Sequence, residues 1–150
     1  MTQPEVCDAP FTVGNCGADC LELESAACIS CIGEEGLGAF DCALETGNAL
    51  AGPAAGTPKL ELCQILLGCT YATNCAAADP VDCYCGTSGA ACQTGGANGD
   101  CRAEIEASLE STAFGEIGAR IGDPSYAGGV AVVRVDGARA GCGEICGSVN

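Results

Sequence analysis

The sequence predicts a mainly α, small disulfide-rich domain in which short helices are joined by long Gly-rich stapled loops. Three observations carry this reading. The 150-residue chain has 15 cysteines, a density that marks a disulfide scaffold or a metal-binding protein rather than an ordinary cytosolic domain. It has 23 glycines, about twice the usual share, and few large aliphatics, so burial alone would leave the fold marginal. Bridges contributing roughly 2–4 kcal/mol each, mainly by restricting the unfolded chain, offset that deficit. Finally, several stretches of good helix formers carry cysteines at helical spacing.

Taken in chain order, residues 19–31 read DCLELESAACISC, without Gly or Pro. At about 100° per residue, Cys16, Cys20, Cys28 and Cys31 fall at about 0°, 40°, 120° and 60°. A helix over 19–31 presenting a cysteine stripe is therefore expected. A second short helix, over 39–45, carries Cys42 and ends near Gly47-Asn48. Residues 51–58 form a Pro/Gly/Ala connector between an N-terminal cysteine-helix part, 1–50, and a Cys-rich core, 59–150, of one domain spanning 1–150. Residues 59–69 (KLELCQILLGC) follow Pro58 and are almost continuously apolar, which predicts the most buried helix.

Asp79-Pro80 and the run from 83 to 99 are turn chemistry throughout, a loop stapled by its cysteines. Asp100 is placed to cap a helix over 101–111, with Ile105 and Leu109 one turn apart on the core side and Glu104, Glu106 and Glu110 facing water. Residues 113–121 are weakly helical and end before Asp123-Pro124. The run VAVVRV at 130–135 has strand propensity; a short helix and a lone edge strand both remain open.

Composition excludes several function classes. With no histidine, Ser–His and Cys–His catalysis and imidazole ligation are impossible. Five Lys plus Arg against 20 Asp plus Glu give a net charge of −15, which repels nucleic acid and anionic membrane surfaces. No Trp and only three Tyr and three Phe leave little for a stacking platform. No apolar run is long enough to span a bilayer. Glu22/Glu24 and Glu34-Glu35 read as solvated acidic surface, and Asn98-Gly99-Asp100 lacks the ligand spacing of an EF-hand.

The cysteines carry the remaining chemistry. Cys28-Ile-Ser-Cys31 lies in an expected helix, without the strand–turn–helix setting of a thioredoxin site, and the next residue, Ile32, excludes c-type haem attachment. Cys16/Cys20 and Cys142/Cys146 are i, i+4 pairs. They admit an alternative in which Cys16, Cys20, Cys28 and Cys31 hold copper or zinc as thiolates. Disulfide bonding accounts for more of the positions, including Cys83, Cys85 and Cys92 among Gly, Thr and Ser. The disulfide candidates are thus Cys7, Cys16, Cys20, Cys28, Cys31, Cys42, Cys63, Cys69, Cys75, Cys83, Cys85, Cys92, Cys101, Cys142 and Cys146. Connectivity stays open, and an odd count leaves one cysteine over. Cys83 and Cys85 are not expected to bridge each other. No cofactor is implied.

The series Cys63, Cys69, Asn74-Cys75, Asp79-Pro80, Asp82-Cys83-Tyr84-Cys85-Gly86, Cys92, Asn98-Gly99, Cys101, Glu104, Cys142 and Cys146 resembles Cys-rich exported proteins and lipoproteins of the kind found in myxobacteria. The resemblance covers 63–146. It implies export and disulfides and brings no catalytic residues with it. It also implies a further cysteine near Val135 or Asp136, whose absence would account for the odd count. Met1-Thr2-Gln3-Pro4 leads into no secretory signal, so the chain is expected to be a trimmed fragment of a protein exported to the periplasm, outer surface or extracellular space. A non-enzymatic structural, accessory or interaction module is the expected role, with a protein partner or larger assembly as its company. Of the five cations, Arg120, Arg134 and Arg139 lie near the C-terminus. With Val130, Val132 and Val133 they make this the expected docking stretch, unless those valines complete the domain's own core.

Overall fold

A computed structural model describes the backbone of residues 5–6 and 20–21, and residues 26–146. It is mainly helical. Two two-residue strands, β1 (Glu5–Val6) and β2 (Cys20–Leu21), pair in parallel, Glu5 opposite Cys20 and Val6 opposite Leu21. The helix expected over 19–31 is thereby corrected: Cys20–Leu21 is strand, and α1 runs Ala26–Glu34. The alternation Leu21-Glu22-Leu23-Glu24 has the period of a strand, and this competes with the good helix propensity of the same residues. α1 ends where Gly36 takes a φ of 78°. Leu37 N–H donates to Ile32 O at 3.1 Å and Gly36 N–H to Gly33 O at 3.1 Å, a pattern that satisfies the last carbonyls of the helix.

The helix expected over 39–45 is a single 3₁₀ turn, Cys42–Leu44, capped by Asp41, whose Oδ1 accepts from Ala43 N–H at 2.9 Å. Residues 48–58 close on themselves through an Asn48–Pro58 bridge and the Ala49–Thr57 and Gly56–Ala49 backbone bonds. α2, Lys59–Thr73, is one turn longer than expected. It ends on Asn74 in the left-handed region, which asparagine tolerates better than most side chains. Leu62, Cys63, Leu66, Leu67, Thr70 and Tyr71 are buried, which makes α2 a central core element.

The stretch from 79 to 99 is more ordered than turn chemistry suggested. It contains a one-turn helix, α3 (Asp82–Cys85), and a 3₁₀ segment, Gly89–Thr94. α4 spans Arg102–Ser108 with Cys101, not Asp100, at its N-cap and no side-chain cap bond. Ile105 and Leu109 are fully buried as expected. Glu106 and Glu110 are buried too, at 9% and 7% exposure, contrary to their expected solvent-facing positions. α5 is Phe114–Arg120.

The β-branched run resolves as helix. α6, Ala127–Cys146, contains 130–135 and kinks at Cys142, where φ is −129° and ψ 16°. α6 packs on both α1 and α2, and α2 on α4. This packing overrides strand propensity, because it buries Val130 and Val135. Gly129 lets the start of α6 pass close to other backbone, where a Cβ would stand 1.8 Å from Asp123 O, and Gly128 lets it pass close to the Ser108 and Leu109 side chains. Among the described residues no helix is long and apolar enough to cross a membrane.

Candidate functional site

Six disulfides organise the described residues and consume all twelve cysteines between 26 and 146. Cys28 and Cys31, one turn apart on α1, meet Cys146 and Cys142, one turn apart on α6, with Cα separations of 4.8 and 6.0 Å. Cys42 ties the 3₁₀ turn to Cys63 of α2. Cys69 joins the end of α2 to Cys101 at the start of α4. Cys75 joins the residues after α2 to Cys83 of α3, and Cys85 of α3 meets Cys92 of the following 3₁₀ segment. Cys83 and Cys85 thus point opposite ways out of one helical turn, about 200° apart.

Two of these bridges touch. Cys75 Sγ lies 3.6 Å from Cys101 Sγ, and the Sγ atoms of Cys75, Cys83 and Cys101 are all within 4.8 Å of one another. Cys83 and Cys101 are buried while Cys69 and Cys75 are half-buried, so the cluster is dry inside and opens to solvent on one side. Backbone bonds hold the same residues independently of sulfur: Cys101 N–H donates to Cys83 O at 3.0 Å and Gly99 N–H to Tyr84 O at 2.8 Å. Gly99 is required there, because a Cβ would stand 2.2 Å from Cys83 O.

Beside the cluster runs a partly buried polar network. Glu106 Oε1 accepts from Tyr84 Oη at 3.1 Å and from Arg102 Nε at 2.9 Å, while Arg102 also donates to Ala97 O at 2.7 Å. Burial pushes the Tyr84 hydroxyl pKa up, and its bond to the Glu106 carboxylate pushes it further. Glu110 Oε1 accepts the backbone N–H groups of Leu50 and Ala51, locking the 48–58 loop against α4. Arg120 donates to Leu109 O and Glu110 O at 2.9 Å each, pairs with Glu116, and sits 4.9 Å above the Tyr126 ring. This network does for α5, which holds no cysteine, what the bridges do for its neighbours. The void lined by Leu66, Thr70, Ala76, Cys83, Ile105, Val132 and Val135, about 10 Å³, has room for one water at most.

The expected site residues fall as follows. Cys7 and Cys16 lie outside the described residues, and Cys20 is described only as backbone of β2. Cys28 and Cys31 belong to different bridges; the alternative metal set of Cys16, Cys20, Cys28 and Cys31 includes Cys16, which lies outside the described residues, and the sulfurs that converge among the described residues are on other elements. Every cysteine between 26 and 146 is paired, so none of these is the orphaned partner of a cysteine missing near Val135 or Asp136, and the three cysteines outside the six bridges are Cys7, Cys16 and Cys20. Val130 is 2% exposed and Val132 and Val133 are half-buried, so the three do not form an exposed strip. Sequence reasoning missed Glu106 and Glu110. The signal available was the spacing of Arg102 and Glu106, i and i+4 on one helix. Set against protein-family models, curated proteins and solved structures, the chain matches none of them.

Proposed function

We propose that the chain is an exported, disulfide-stabilised module with a structural, accessory or interaction role and no catalytic activity. One observation carries the reading: all twelve described cysteines are consumed pairwise in bridges that tie α1, α2, α3, α4 and α6 together. Bridges of this density persist where thiols are kept oxidised. The C-x-x-C pair supports it further. A dithiol oxidoreductase cycles a bond between its own two cysteines, whereas Cys28 and Cys31 each bond to α6.

The test is the redox state in the native source. Thiols are trapped with an alkylating reagent at the moment of lysis and the intact mass is measured without reduction. At least twelve of the 15 cysteines should be protected from the reagent. A chain alkylated at every cysteine would overturn the proposal.

A further inference from the structure

We infer that Cys69, Cys75, Cys83 and Cys101, once their two bridges are reduced, form a tetrathiolate site for one soft divalent cation such as zinc. The inference does not rest on where the chain resides. Around a tetrahedral zinc with bonds of about 2.3 Å, neighbouring sulfurs stand roughly 3.7 Å apart. Cys75 and Cys101 are already 3.6 Å apart across the two bridges. Cys83 completes a triangle with sides within 4.8 Å, and Cys69 is bonded to Cys101. Within each bridge the sulfurs must separate by about 1.7 Å relative to a normal disulfide, and Cys69, which stands outside the group of three within 4.8 Å, must swing in toward it once its bond to Cys101 is cut. The Cys75, Cys83 and Cys101 triangle is also the wrong shape for attack of Cys101 on the Cys75–Cys83 bridge, which wants the attacking, central and leaving sulfurs nearly in a row. It is the right shape for ligands around a common centre.

The surroundings favour the same outcome. The Cys101–Cys83 backbone bond holds two ligand residues in place when sulfur no longer does. Thr73 Oγ1 donates to Cys69 O at 2.8 Å and lies 3.6 Å from Cys101 Sγ, so that rotation of the hydroxyl proton would let it support a thiolate from the outer shell. The half-buried Cys69 and Cys75 give a metal its way in. Among the described residues this is the one group of three sulfur or carboxylate ligands gathered so closely. A chain of net charge −15 disfavours four uncompensated thiolates and attracts a divalent cation. The steps balance. Each of two dithiol reductants takes up one bridge, becomes a disulfide and delivers two electrons and two protons; the four resulting thiols then bind the cation and release four protons.

The experiment uses the full chain, folded and oxidised, then reduced anaerobically with a water-soluble trialkylphosphine in the presence of Co(II), with helicity followed in parallel. One Co(II) per chain is expected, with the charge-transfer and d–d bands of tetrahedral four-sulfur ligation, displaced by zinc, in a protein that keeps or regains its helicity. Cys85→Ser/Cys92→Ser, which removes the neighbouring bridge, should keep those bands. Cys75→Ser/Cys83→Ser should lose them, with affinity lowered by about 100-fold or more. Should that double variant not fold, Cys75→Ser alone should shift the spectrum from four-sulfur to three-sulfur ligation. Absent bands, bands equal in all variants, or metal bound to a chain that stays unfolded would each overturn the inference.

Discussion

Glu110 sits in the left-handed region with a φ of 59°, a conformation that costs a non-glycine residue roughly 1 kcal/mol or more. Its carboxylate offsets this by accepting two backbone N–H groups from the 48–58 loop. Glu110→Ala keeps the backbone strain and removes the acceptor, so denaturant unfolding should show a loss of about 1–3 kcal/mol; Glu110→Gln, which retains one carbonyl acceptor, should lose less. Tyr84 makes a pH-dependent contribution. Because its folded pKa is raised above the usual value of about 10, the stability it contributes is intact below that pH and is lost as pH rises through the folded value. The unfolding midpoint should therefore decline in the alkaline range, and Tyr84→Phe should flatten that decline. An alkaline limb identical in the two proteins would show that the Tyr84–Glu106 bond plays no such part.

Between elements, the clamp joining α1 to α6 is redundant by design of its spacing. Cys28–Cys146 and Cys31–Cys142 close sequence separations of 118 and 111 residues. Whichever forms first restricts the unfolded chain by about 5 kcal/mol; the second then closes only the few residues between the two bridges, for about 2–3 kcal/mol. Cys31→Ser/Cys142→Ser should thus lower the melting temperature modestly, and removal of all four cysteines should lower it by more than twice as much. Two glycines discriminate open from closed helix packing. Gly33 on α1 has nothing within 4 Å of an added Cβ, so Gly33→Ala should stabilise by about 0.5–1 kcal/mol. On α6, Gly129→Ala drives its Cβ into the Asp123 backbone and should cost about 1–3 kcal/mol or more. Thermal melts of the pair should move in opposite directions.

For the molecule as a whole, the bridges and the charge act in opposition. Twenty acidic residues against five basic ones repel one another in any compact state, and the covalent framework limits how far that repulsion can expand the chain. The described bridges leave three cysteines, Cys7, Cys16 and Cys20, an odd number that cannot all pair within one chain. Peptide mapping of the unreduced protein should find the six described pairs and place any remaining thiol, or any bond to a second molecule, on one of those three. A thiol recovered between residues 26 and 146 would contradict the structure.

What the sequence settles alone is whatever depends on composition or on neighbours along the chain. Cysteine density, the absence of histidine and the acidic balance are matters of counting. The apolar run at 59–69 and the Ile105/Leu109 pair read directly as helix because their partners lie within a turn or two. Tertiary structure alone decided the rest, because the deciding energies come from residues distant in sequence. The pairing of β1 with β2 turns residues 20–21 from helix to strand. Contacts with α1 and α2 turn the valines of 130–135 from strand candidate to helix. Glu106 and Glu110 could not be recognised as buried until Tyr84, Arg102 and the 48–58 loop were seen to supply their partners. The four-sulfur cluster was likewise invisible: Cys69, Cys75, Cys83 and Cys101 share no motif spacing, and only the folding of α3 and α4 against the end of α2 brings their sulfurs together.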